Sequence, residues 1–150
     1  PAIATAGLWL LTATALMVLA EKGLVDLNAT VRTYLPELAL TDEDVAAKVT
    51  VLQLLNHTAG WMGDVFEDTG DGDDALEKYV AYMATLPQVT PLGSSVSYNN
   101  ASLSLAGHVI AKVHGTTYEQ AIRELVLEPL GLQRTFGFAK DIMTMRFASL

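Results

Sequence analysis

A chain of 150 residues, 51% hydrophobic and 17% charged, is long enough for one domain with a sizeable core and too apolar for disorder. Its 17 acidic against 9 basic side chains, net −8, leave no basic stripe to displace counterions, which excludes nucleic acid and disfavours an anionic membrane surface. With no cysteine, disulfides, thiolate nucleophiles and cysteine-ligated zinc are excluded, while the compartment stays open.

Residues 1–20, "PAIATAGLWLLTATALMVLA", carry no charge, so a membrane span or an export segment has to be weighed. No basic segment precedes the apolar run, Thr5, Gly7, Thr12 and Thr14 dilute it, and it continues into Glu21-Lys22-Gly23. The expectation is a buried core helix over about 8–22 rather than a membrane segment, closed by Gly23 in the left-handed region. "LVDLNATVRTYLPEL" (24–38) alternates apolar positions and contains Pro36, which predicts an extended segment with a short turn. "TDEDVAAK" (41–48) reads as an acidic-started helical turn. Thr50 and Gln53 have capping-box spacing, so a short helix starts there, stops near His57, and turns sharply at Gly60.

Residues 62–74, "MGDVFEDTGDGDD", form an acidic, glycine-rich loop. A helix over about 74–85 follows, with Asp73 or Asp74 as its N-cap and Glu77 in its first turn. "LPQVTPLGSSVSY" (86–98) is turn-rich and extended. From Asn100 to Val113, Leu105, Ala106, Val109, Ile110 and Val113 recur at helical spacing, and Gly115 ends that helix. Thr116 and Glu119 form a second capping-box pair, opening a last helix that Pro129 and Gly131 terminate. The expected architecture is mainly α, one domain over 1–150 without repeats or linkers.

Three groups of residues invite a chemical reading. The acidic loop fails the EF-hand pattern: starting at Asp68, Gly70 and Gly72 occupy ligand positions, and starting at Asp71, Ala75 does. A solvated loop is expected there. His57, His108 and His114 lack the i,i+4 spacing of a helical zinc pair, so neither metal nor cofactor is expected. His57, between a helix and a glycine turn, is expected to hydrogen-bond loop carbonyls. Tyr98 and Asn100 fit a helix entrance equally well, since Asn is a strong N-cap and a preceding Tyr packs on the first turn.

Four segments in order change that balance: "TATALMVLAEKGLVDLNATVRTYLPEL", "TVLQLLNHTAGW", "SYNNASLSLAGHVIAKVHGTTYEQAIRELVLEPLGL" and "TFGF". Together, over about residues 11–138, they resemble the serine β-lactamase and penicillin-binding-protein family, in its class C-like and esterase-like branch. The resemblance implies the helical lobe of the β-lactamase/transpeptidase-like α/β fold, with most of the β-sheet lobe absent from these residues. It also implies acyl transfer through a serine ester, on a β-lactam, ester or peptidyl amide. In that family a Ser-x-x-Lys pair sits on one helical face, a Tyr-x-Asn motif supplies a proton shuttle and an orienting amide, and backbone N–H groups stabilise the oxyanion. Tyr98 and Asn100 match the Tyr-x-Asn motif. Export is suggested by the resemblance alone.

The chain departs from the family at the nucleophile. Aligning "TATALM" puts Ala6 at the serine position and Trp9 at the lysine position. The residues three before Lys22, Lys48, Lys78, Lys112 and Lys140 are Leu19, Val45, Ala75, Val109 and Gly137, so no shift of alignment restores a Ser-x-x-Lys pair. A Lys-Thr-Gly-like triplet is also missing. Inactivity of this chain alone is expected, with a non-catalytic binding or self-assembly module as the alternative. The expected partners are a small acyl substrate where a complete site forms, a second copy of the chain, or whatever supplies the sheet.

Overall fold

A computed structural model describes residues 2–70, 72–132 and 135, with side chains from Trp9 onward. Six α-helices form among these described residues: α1 (Ala2–Glu21), α2 (Glu43–Lys48), α3 (Val51–Leu55), α4 (Ala75–Tyr82), α5 (Asn100–His114) and α6 (Tyr118–Ile122). Short 3-10 turns at Val31–Thr33 and Met83–Thr85 and a wide π-type turn at Arg123–Leu127 connect or extend them. Among the described residues there is no strand, only isolated antiparallel bridges at Thr30–Thr50 and Trp61–Gln88. The mainly helical architecture expected from the periodicities is what these residues adopt.

The packing is organised around α5, which lies against α1, α3, α4 and α6. Its residues Ala101–Leu103 and Leu105–Ile110 are all buried, so this helix is covered nearly all round, and its one lysine, Lys112, stands in the last turn. Helix α1 is one-sided. Thr12, Ala15, Leu16 and Leu19, at i, i+3, i+4 and i+7, enter the core, while Leu10 and Met17 face outward. No helix among the described residues is long and apolar enough to cross a membrane.

Local signals explain most helix boundaries. Asp42 accepts from the Val45 N–H (3.1 Å), and the Thr50/Gln53 box closes in both directions. At the end of α1, Gly23 has φ +70° and the Leu24 N–H returns to the Leu19 carbonyl (2.9 Å).

Three expectations need correction. Residues 24–38 do contain a short turn, the 3-10 turn Val31–Thr33 after the extended, bridged Thr30, but no continuous extended segment; the Arg32 guanidinium in that turn gathers the Leu38 carbonyl and the Glu43 carboxylate. The second capping box does not form: Thr117, not Thr116, is the N-cap and accepts from the Gln120 N–H, while the Gln120 side chain turns away to Glu124. Gly115 takes φ +77° and the Thr116 N–H bonds back to the Ala111 carbonyl, so Thr116 still belongs to the end of α5 and Thr117 is the first residue free to cap. Finally, Asp74 precedes α4 as expected but makes no cap bond. Its carboxylate pairs with Lys78 one turn on (2.8 Å).

Candidate active site

The start of α5 is held by a clamp that reading the chain did not anticipate. Of the two asparagines after Tyr98, Asn99 is the N-cap: it is 1% exposed and its Oδ1 accepts from the Ser102 N–H (2.8 Å) and the Trp61 indole N–H (3.1 Å). Its Nδ2 donates to the Trp61 carbonyl (2.8 Å), so three of the amide's four hydrogen-bonding directions are used. The Gly63 carbonyl accepts from the Asn100 N–H (3.0 Å), and a Cβ on Gly63 would run into the Asn99 side chain. The Trp61–Gly63 segment and the first turn of α5 are therefore one unit. Asn100, the residue matched to the motif, is half-exposed and its Nδ2 donates to Asp64 Oδ1 (3.1 Å).

Tyr98, 53% exposed, stands immediately before this clamp. Its ring is stacked with His57 (centroids 5.3 Å apart, planes at 28°) and with Trp9 (5.9 Å, 6°), and Trp9 in turn stacks on His57 (4.3 Å, 23°). Three distant segments thus meet: α1, the turn after α3 and the entrance of α5. Ala6 lies in α1, its side chain outside the described residues. Trp9, in the same helix, lies beside Tyr98 and presents its π face to it.

His57 does not hold its turn through its ring. Both ring nitrogens, like the Trp9 indole N–H, are buried without a hydrogen-bond partner among the described residues. The backbone does the holding, since the His57 carbonyl accepts from the Ser97 N–H (2.9 Å) and ties this turn to the strand-like entry of Tyr98. His57 adopts φ +60°, a conformation few side chains tolerate, and loss of water on burial lowers its pKa, so it stacks as a neutral ring. Three lysines have other partners: Lys48 with Asp44, Lys78 with Asp74 and Lys112 with Glu37. Lys140 lies outside the described residues.

What the arrangement offers chemically is a half-open aromatic wall, a phenol hydroxyl and an amide, bordered by the loop that carries Asp64. Among the described residues no group of three potential ligands gathers to hold a metal ion. The acidic loop instead folds on itself and its neighbours, with Gly70 N–H on Asp68 Oδ1 (3.0 Å) and the Tyr79 hydroxyl on the Val65 carbonyl (2.7 Å).

The chain belongs to the Beta-lactamase family, whose model matches residues 10–150. Penicillin-binding protein 4 of Amycolatopsis lactamdurans is 34% identical over 137 residues, covering 91% of this chain and 36% of that protein. Esterase EstB of Burkholderia gladioli is 32% identical over 142 residues, covering 85% and 36%. The octameric penicillin-binding protein homologue from Pyrococcus abyssi shares the fold with a TM-score of 0.75 and 27% identity, over 93% of this chain and 33% of that one. The chain spans about a third of the length of these relatives.

Proposed function

We propose that these residues are the helical lobe of a serine hydrolase fold for β-lactam, ester or peptidyl amide substrates, and that as written they form no acyl-enzyme. Tyr98 and Asn100 are the remaining edge of its cleft. The observation that carries this reading is the stack of Trp9 on Tyr98 and His57. A phenol acts as a proton shuttle when a neighbouring cation favours its ionised form, and an indole provides no such charge. Alanine at position 6 has no atom to attack an acyl carbon. The relatives named as penicillin-binding protein and esterase support the substrate class.

Intact-mass spectrometry of the chain, before and after incubation with a penicillin and with a fluorophosphonate, tests this. The expected result is an unchanged mass with both reagents. A time-dependent adduct would show a nucleophile that the reading omits and would overturn it.

A second reading, self-assembly, is favoured by one surface feature. Leu10, Met17 and Leu24 repeat every seven residues along α1 and its exit, and all three are more than half exposed. The octameric Pyrococcus homologue supports it. Light scattering showing a monomer at high concentration would remove this reading.

A further inference from the structure

A cavity of about 330 Å³ opens between the start of α4, the last turns of α5 and the start of α6. It is separate from the Tyr98 site: His108 on its wall lies eight residues along α5 from Asn100, about 12 Å at 1.5 Å per residue. The wall is firmly built. Gly107, with no Cβ, lets the Tyr118 ring and Leu76 close against α5, and the Tyr118 hydroxyl is anchored to Thr12 Oγ1 on α1 (2.7 Å).

The charges around the cavity are lopsided. Asp73, Glu77 and Glu119 line it against the single ammonium of Lys112, which lies 3.8 Å from Glu37. Helix dipoles account for the placement of Glu77 and Glu119 in first turns and of Lys112 in a last turn. They do not account for His108. That side chain is only 6% exposed, lines the cavity, and has no hydrogen-bond partner among the described residues. Neither of its ring nitrogens is sealed from solvent, so the imidazole presents its polar edge to the cavity rather than to the core. Desolvation lowers its pKa, which leaves a neutral ring with one nitrogen free to accept a hydrogen bond.

We propose that this cavity binds a small organic ammonium ion, drawn by the Glu77 and Glu119 carboxylates and donating an N–H to the His108 imidazole. The volume lies at the lower end of small-molecule sites, which suits a ligand of a few heavy atoms. The excess of carboxylates disfavours an anion, and a single imidazole does not make a metal site.

The test follows the His108 ring protons by NMR while the chain is titrated with n-butylammonium chloride, with sodium butyrate as the matched anion. His114, whose Nε2 is 2.8 Å from Glu124 and which does not line the cavity, is the internal control. The expected result is a saturable shift of His108 with a millimolar midpoint for butylammonium, none for butyrate, and none at His114. Ala111→Leu, which fills the cavity from its α5 wall, and Glu77→Gln should each weaken binding at least about tenfold, equivalent to roughly 1.4 kcal/mol. The proposal is overturned by a His108 shift that does not saturate, by equal shifts with butyrate, or by undiminished binding in both variants, which would mean diffuse attraction to an acidic surface.

Discussion

Removing the Asn99 side chain should cost far more than removing that of its neighbour Asn100. In Asn99→Ala the Ser102 N–H loses its cap, worth about 1 kcal/mol in typical helices. The Trp61 indole N–H, on a residue 3% exposed, loses its acceptor, and an orphaned buried donor costs about 1–3 kcal/mol. The Trp61 carbonyl loses a donor as well. These contributions point to a total of about 3 kcal/mol. With a urea slope of about 2 kcal/mol per molar, usual for a small domain, the unfolding midpoint should fall by about 1.5 M. Asn100→Ala breaks only an exposed contact to Asp64 and should stay within about 0.5 kcal/mol of the parent. Urea titrations of the three proteins, followed by circular dichroism, decide the matter. Equal losses in the two variants, or a loss below about 1 kcal/mol in Asn99→Ala, would refute the clamp as the element that fixes this end of α5.

Gly63→Ala should destabilise by about 1–3 kcal/mol, because the new methyl meets the Asn99 side chain; a thermal midpoint equal to the parent's would contradict the close approach. Stability should fall as pH is lowered below about 6.5, the ordinary histidine value. His57 and His108 both have lowered folded pKa values, so the unfolded chain binds protons first and the stability present above that pH is progressively lost below it. Urea midpoints at neutral and mildly acidic pH should differ in that direction, and His57→Phe with His108→Leu should flatten the dependence. At the alkaline end Tyr118, pushed up to about 12 by burial, should retain its proton while an unfolded tyrosine ionises near 10. Its stabilising contribution is therefore lost as pH rises from about 10 towards 12, and Tyr118→Phe should remove that loss; an ultraviolet titration showing every tyrosine ionising near 10 would count against it.

Chain-local chemistry was legible in advance. The Thr50/Gln53 box, the Gly23 and Gly115 stops and the 3.6-residue apolar period of α5 depend on residues a few positions apart. The family resemblance lay in the order of several such local segments, and a family model over residues 10–150 agrees with it.

The site was decided elsewhere. Two adjacent asparagines are chemically the same in sequence, and only the approach of Trp61, 38 positions away, makes Asn99 the buried cap and leaves Asn100 outside. His57 had the sequence context of a turn-holding residue. The arrival of Trp9 and Tyr98 from either side of it along the chain buries its ring and substitutes stacking for hydrogen bonds. Arg32, in the 3-10 turn Val31–Thr33, reaches Glu43, a partner that alternation along residues 24–38 does not encode. Periodicity and capping report which face a segment buries and where it stops. Which distant groups meet on that face follows from the packing of the helices around α5, and that packing determines which polar groups lose water and what they find in its place.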